Sequence, residues 1–567
     1  MSEHFDLIVE PWMPCAMHDG ASMESRHLEF GLREVLVRAH DIVELSDSSP
    51  LVTASLHRLL LAVLHRIFGP ESRAAWWTLW RRGAWDMHEI SAYFARDDVR
   101  DRFDLFGEHR PFYQVSKIAR EYAGPVARLT HELSSGNNAT LFDHTTEVAP
   151  RPMTPAEAAR YLVAYQNYAV GGLVSYEKGQ DPKVYKSATA APLARGALAL
   201  VRGNNLFETL ALNLHRYSDD EPFARQGNDL PTWERDDEPT AGERPVSGYL
   251  DLLTWQSRRI QLFPERNGQG DVVVRQVAIM KGCQFESGFS RRGKEPMVAF
   301  LTPRPSSKPI PGQDPYQPLG FRDDKALWRD SVTILQSVAS TPLVAQDPDR
   351  AADALETRPR TLNWLDDLSI PDELGRRILN LDMLGMRADK ASVLAWRHER
   401  LPLPLAYLRQ DPNVDVSLFF GLREALHLAE YSGQAVQRGA RELARTLLAP
   451  ESDRSDTRQP QEGDISRLAA SLGLERSYWG QLDVHFRQLL LDLPMEPVER
   501  DDYIVAYDRA TLVVWAGDLR HAANRAFEAG TNGLDTSART LKAVAKARYT
   551  QQVQVRRALE GYLPAAT

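Results

Sequence analysis

Apolar and polar positions follow two different rhythms along this chain. Over Leu51–Phe68, the residues Leu56, Leu59, Leu60, Val63, Leu64 and Ile67 recur at three- and four-residue intervals, which predicts a helix with one broad buried face. Gly69 and Pro70 end it. Leu32–Val37, Arg160–Gly171 and Leu206–Leu214 carry the same period and predict further helices. Phe5–Val9, Leu198–Arg202, Val272–Ile279 and Met297–Thr302 are short apolar or alternating runs that predict strands, the last two in an antiparallel sheet. Ser218–Ser247 is polar and predicts a surface excursion, and the proline-dense Pro303–Pro318 predicts an irregular loop. Beyond about Leu405 only the helical rhythm remains, over Val416–Leu448, Ile465–Leu493, Glu499–Ala529 and Ser537–Leu563, with the polar link Pro450–Gly463 between the first two. The expected fold is α+β: a large mixed N-terminal domain (1–404) with antiparallel sheet elements, then a C-terminal four-helix bundle (405–567).

The bulk numbers narrow the class. A chain of 567 residues has room for two or more domains, and 43% hydrophobic with 26% charged residues is ordinary for a globular protein. The formal net charge of -9 excludes a uniformly basic nucleic-acid coat. It leaves open a local surface built from some of the 68 Lys and Arg. Two cysteines, Cys15 and Cys283, provide neither a disulfide framework nor a cysteine-rich zinc site. No signal segment opens the chain, and no uninterrupted apolar run reaches the ~18 residues of a membrane span, so the expected location is cytoplasmic.

Familiar catalytic patterns fail one by one. Gly288–Glu295, GFSRRGKE, nearly matches a phosphate-binding loop, but Glu295 stands where a magnesium-holding hydroxyl belongs, and a strand-like run follows where a helix should begin. Gly268-Gln269-Gly270 lacks the third glycine of a dinucleotide fingerprint. There is no GxSxG elbow and no HExxH helix. His57 and His65, eight residues apart on one helix face, read as surface or core-edge histidines, since metal ligands usually sit one turn apart. The acidic pairs Asp366-Asp367 and Asp411/Asp415 read as solvated faces, and Trp76, Trp77, Trp80 and Trp85 as core packing in preference to base stacking. No catalytic residue, metal ligand or cofactor site is assigned. What stands out is a shaped loop, Ser134–His144, SSGNNATLFDH, whose Gly136, Asn137 and Asn138 suit tight backbone and compact hydrogen bonding. It looks built for recognition.

Seven strings in order extend that picture: LIVEPWMP, RFDLFGEHRPFYQ (102–114), SSGNNATLFDH, APLARGALALVRGNNLFETLALNL (191–214), GYLDLLTWQSRRIQLFP (248–264), KASVLAWRHERLPLP (390–404) and SYWGQLDVHFRQLLLDL (477–493). Together they resemble the CasA family, the large subunit of the type I-E CRISPR Cascade surveillance complex. The resemblance implies a non-catalytic protein that reads a protospacer-adjacent motif (PAM) in double-stranded DNA. It also implies duplex opening for R-loop formation and recruitment of a helicase–nuclease, while guide pairing reads the rest.

Carried over position by position, the resemblance implies three groups of site residues. For PAM and DNA contact they are the Gly171–Ala190 region with Gly171, Gly172, Gly179, Lys186 and Ser187, then Arg304 or Lys308 as the lysine-type contact, and the wedge Arg387, Asp389, Lys390 and Ala391. The family's strongest glycine runs are not reproduced, and its central Asn-Gln-Ala wedge reads Asp389-Lys390-Ala391 here. Asp389 would accept from guanine's exocyclic amine, the one donor in the minor groove, which favours a G·C pair. The plainer reading is a solvated Asp-Lys turn. For the crRNA 5′ end and a backbone subunit, the implied residues are Gly136, Asn137, Asn138, Leu141, Phe142 and Asp143, the alternative being a loop folded onto its own domain. On the last helix Arg539, Lys542 and Lys546, at i, i+3 and i+7, would face the displaced strand or the small-subunit dimer, unless the face is merely solvated. Two rivals are a metal-dependent nuclease with a dispersed active site and a protein-only scaffold that touches no nucleic acid.

Overall fold

The computed structural model describes residues 3–18, 25–130, 151–218, 229–292, 294–301, 314, 316–336, 357–368, 370, 378–389, 392–408, 412–449, 460–500 and 503–563. They form two compact units: Met1–Arg322 with Glu356–Glu373 and Leu379–Arg400, and Asp323–Leu355 with Leu374–Ile378 and Leu401–Thr567.

In the first unit, β1 (Met13–His18) lies between β2 (Ser25–Phe30) and β3 (Ile42–Leu45) in an antiparallel sheet. Phe5–Val9 is not the strand its composition predicts. Asp6 Oδ1 accepts the Ile8 N–H, and the Asp6 carbonyl accepts from Val9 and Glu10, so a side-chain-braced turn displaces extended backbone. After α1 (Leu32–Val37) comes α2 (Pro50–Phe68). It is long and apolar enough to cross a membrane by length and composition, yet 83% of its apolar window is buried inside the protein. Being apolar nearly all round, it is the core helix of this unit. His57 and His65 are therefore not at the core edge but fully enclosed, each ring donating from Nδ1 to the carbonyl four residues earlier, at 2.7 and 2.8 Å.

Ser72 caps α3 (Arg73–Arg82), and Gly83 closes it in the left-handed conformation at φ 68°. Its tryptophans pack inward: Trp76 stacks on Trp80 at 5.2 Å and donates to the Ala211 carbonyl. A capping box of Thr154 and Glu157 starts α4 (Pro155–Tyr168) ahead of the predicted start at Arg160. A second sheet pairs β5 (Arg258–Arg266) with β6 (Val272–Lys281), and a third has the order β8–β7–β4, from Ser392–Pro404, Ile378–Asp389 and Leu198–Arg202. In the latter, Asn380 faces Arg202 and Leu384 faces Leu198 in antiparallel register. The polar stretch 229–247 returns to the core where a surface excursion is expected. Trp233 is buried, and the Glu234 carboxylate takes Arg66 through two 2.9 Å bonds together with Tyr93.

The second unit is helical: α5 (Pro412–Leu448), α6 (Glu462–Ser471), α7 (Leu474–Asp492), α8 (Arg509–Thr531) and α9 (Ala538–Ala558). The predicted segment Ile465–Leu493 is two helices, broken at Gly473 with φ 71°. Within the segment expected as helix from Glu499, Glu499–Arg500 and Tyr503–Tyr507 are strand, in the hairpin of β9 (Pro494–Arg500) and β10 (Tyr503–Tyr507). Pro494 and Pro497 deny helical N–H donors there, and Val498, Ile504 and Val505 favour the pleat. The region around Trp328 counts with these helices and not with residues 1–404. Its indole stacks on Phe486 at 4.4 Å, and Arg329 makes a two-pronged pair with Glu430 while lying 3.6 Å over Trp479.

Candidate nucleic-acid interface

Residues 171–190 leave α4 and return to it through a closed neck. Ala191 donates to the Ala169 carbonyl at 2.8 Å and Leu193 to Asn167 at 2.9 Å. Gly172 pairs with Ala188 and Leu173 with Ser187, and Val174 donates to the Lys186 carbonyl. A Cβ on Gly171 would lie 3.1 Å from the Ala190 nitrogen, so this glycine serves the closure of the neck. Gly179, at φ 90° with open space around it, makes the outer turn. Asp181 then caps a single helical turn, Pro182–Tyr185.

The excursion is tied to β6 on one side: Lys281 Nζ donates to the Val184 carbonyl at 2.7 Å, and Ser175 bridges to Met280. Its other side is open. Leu173 is 77% exposed, and Lys178, Lys183, Lys186 and Ser187 are exposed as well. Lys178 and Lys183 carry no motif and were visible only as two lysines in a polar run.

Of the expected wedge, Arg387 and Ala388 are half-buried on β7 and Asp389 is that strand's last residue, while Lys390 and Ala391 lie outside the described residues. So do Arg304, Lys308 and the whole loop carrying Gly136, Asn137, Asn138, Leu141, Phe142 and Asp143.

What the sequence did not single out is the anchor at the base of the β7–β8 hairpin, Asp382. Its buried carboxylate accepts from Arg400 Nε at 2.6 Å and Nη2 at 3.0 Å, and meets His398 Nε2 at 3.2 Å and Arg202 Nη1 at 3.4 Å. Burial alone would raise its pKa; bonds from His398 and Arg400 and the charge of Arg202 outweigh it and bring it down to about 2. Two arginines and a histidine from β4 and β8 thus clamp one β7 carboxylate. On the outer strand, Leu394, Trp396 and His398 alternate onto one exposed face.

On α9 the basic row divides by use. Arg539 Nη2 donates to the carbonyls of Leu447 and Ala449 and so caps the end of α5. Lys546 pairs with Glu442 at 2.7 Å, and Lys542 is exposed. Among the described residues, no group of three or more His, Cys, Asp or Glu is placed to hold a metal ion.

The fold and these surfaces define a mixed α+β protein whose exposed lysines and long hairpin suit a partner more than a small substrate. Residues 6–526 match the family model described as CRISPR-associated protein Cse1. CRISPR-associated protein CasA/Cse1 of Thermus thermophilus is 34% identical over 555 residues, 96% of each chain. The crystal structure of CasA from Thermus thermophilus superposes with a TM-score of 0.74 at 30% identity, covering 98% of this chain and all of that one. Cse1 from Acidimicrobium ferrooxidans gives 0.73 at 26% identity, with both chains fully covered. A chain of a CRISPR RNA-guided surveillance complex shares the fold, with a TM-score of 0.70 at 21% identity over 97% of this chain and 99% of that one. The chain belongs to the Cse1 (CasA) family.

Proposed function

We propose that this chain is the large subunit of a type I-E, crRNA-guided surveillance complex, where it inspects double-stranded DNA for a PAM. It promotes duplex opening beside the PAM and R-loop formation, helps recruit the helicase–nuclease, and cuts nothing itself. The observation that carries the reading is the β7–β8 hairpin, clamped at its base by Asp382 and leading to Lys390. A wedge that unstacks bases must be stiff, because separating a base step costs a few kcal/mol that a loose turn would yield to. The lysines of the 171–190 excursion hold phosphates without reading bases. The loop 134–144 meets the crRNA 5′ end and a backbone subunit, and the helical unit meets the small-subunit dimer. The setting is cytoplasmic.

The test is target binding by the reconstituted complex, with and without this chain, across a randomised PAM library. PAM-dependent enrichment is expected only with the chain present, and Lys390→Ala should weaken opening while leaving assembly intact. No dependence on the chain, or none on the PAM, overturns the reading. Purified chain should leave DNA uncut with added magnesium or manganese; cleavage would support the nuclease alternative instead.

A further inference from the structure

The segment Arg102–Lys117 contains three residues in the left-handed region that are not glycine: Arg110 at φ 59°, Tyr113 at 56° and Lys117 at 73°. Residues held there are strained and persist where surrounding structure over-determines them, commonly at ligand sites. The strained turn walls a cavity of about 30 Å³, with Arg102, Arg110, Gln114, Thr232 and Gln256 among its lining.

The polar groups facing this cavity are unevenly used. Gln114 is fully engaged, donating to the carbonyls of Leu105 and Phe112 and accepting from the Leu262 N–H. Gln256 is only 5% exposed, yet its Oε1 is buried with no hydrogen-bond partner among the described residues. Arg110 donates one Nη1 bond, to the Arg235 carbonyl at 2.6 Å. Arg102, half-buried beside it, is engaged by no hydrogen bond or ion pair among the described residues. Burial, then the neighbouring Arg110 charge, lowers the Arg102 pKa, against weaker opposing pulls from Asp236, Asp98 and Asp101.

Two guanidinium groups, one of them without a protein acceptor among the described residues, converge on one small space beside a buried amide, and like charges placed together favour an anionic guest. An oxyanion between them would satisfy all three, with the Gln256 amide turned to present its NH2. Size limits the guest. A water needs roughly 10–15 Å³ by this measure, so the cavity takes two or three oxygens of one phosphoryl group, the remaining oxygen staying at its mouth, and excludes a nucleoside. Asp237 and Glu238 also line it, and Ser116 already occupies Glu238 Oε1 through its N–H and hydroxyl.

We propose that Arg102, Arg110 and Gln256 form a phosphate-group site, separate from the surfaces assigned to PAM reading. It takes a single phosphoryl group, whether free phosphate or the end of a nucleic acid strand.

The experiment titrates the full chain with inorganic phosphate by calorimetry, alongside Arg102→Gln and Gln256→Met. Saturable binding is expected for the native chain, at least tenfold weaker in each variant, with unliganded melting temperatures within about 2 °C of native. Arg102→Gln keeps the comparison valid if Gln256→Met folds poorly, because no protein partner of Arg102 is lost. Competition by a short 5′-phosphorylated oligonucleotide, but not its 5′-hydroxyl counterpart, assigns the site to a strand end. Phosphate binding without that competition assigns it to free phosphate. Absence of saturable phosphate binding, or equal binding by native chain and Arg102→Gln, overturns the proposal.

Discussion

Arg58 on α2 and Glu295 meet in the interior at 2.6 Å, Nη1 to Oε1, with both side chains at most 2% exposed. Arg58 Nη2 also donates to the Leu252 carbonyl. This pair explains why GFSRRGKE is not a phosphate-binding loop. The residue standing in place of a hydroxyl is the counter-ion that neutralises a core helix. Removing one partner of a buried pair strands the other charge and typically costs 3–5 kcal/mol, whereas replacing both by apolar residues is often close to neutral. Glu295→Ala is therefore expected to lower stability by about that amount in urea denaturation. The double replacement Arg58→Met, Glu295→Leu should recover most of it. Equal losses in the single and double variants would remove the pair from this role.

Acid should weaken the first unit through its buried histidines. Burial lowers His57 and His65 to about 4, and His215 well below the ordinary value. The unfolded chain binds these protons near pH 6.5 and the folded chain binds them only near 4 or below. Stability is then whole above about pH 6.5 and falls as pH drops toward 4, by up to about 1.4 kcal/mol per histidine per pH unit. The ring of His65 sits against His215 at 5.5 Å and Tyr217 at 5.9 Å. His65→Phe keeps that packing and removes one proton. Melting temperatures measured from pH 7.5 to 5 should fall less steeply in the variant; identical slopes would refute the assignment.

Asp382 predicts a different pH window and a local effect. Its folded pKa of about 2 lies below the ordinary carboxyl value, so its contribution is present above about pH 4 and disappears only as pH falls through 2. Asp382→Asn leaves Arg202, Arg400 and His398 crowded around a neutral amide. Amides of β7 and β8 should then exchange faster with deuterium while those of β5 and β6 keep their protection. Uniform loosening of both sheets would mean that Asp382 stabilises the unit as a whole and does not stiffen the hairpin in particular.

How far the residues announced this arrangement differs from element to element. Helix α2 was legible because its apolar period is long and its stop signal, Gly69-Pro70, is strong. The β9–β10 hairpin was not, because Val498, Ile504 and Val505 fall into a helical spacing with the real helix that follows. The polarity of residues 229–247 concealed Glu234, whose charge is buried only because Arg66 and Arg96 come to it from distant segments. At the candidate interface, Gly179 and Lys186 are exposed, and Gly171 closes the neck of the excursion. Asp382 was beyond reach: its partners lie 180 residues back and 16 to 18 residues on, a convergence that only the sheet creates.

The exposed lysines of the 171–190 excursion lead to a prediction about salt. Lys178, Lys183 and Lys186 are exposed on one short excursion, and the acidic residues within it, Glu177 and Asp181, are partly engaged by Gln180 and by the cap of the helical turn. Cations presented this way contact phosphates, which raises affinity for every duplex alike and makes binding fall with ionic strength. In the assembled complex, Lys183→Ala with Lys186→Ala should weaken duplex binding by a similar factor across all PAM variants. The slope of log K against log salt should become shallower by about 0.9 for each phosphate that is no longer neutralised. Gly179→Ala, forced into φ 90°, should strain the turn and weaken binding without changing that slope. A lysine pair that altered PAM preference while leaving the salt slope intact would make these residues base readers, and the backbone role assigned to them would fall.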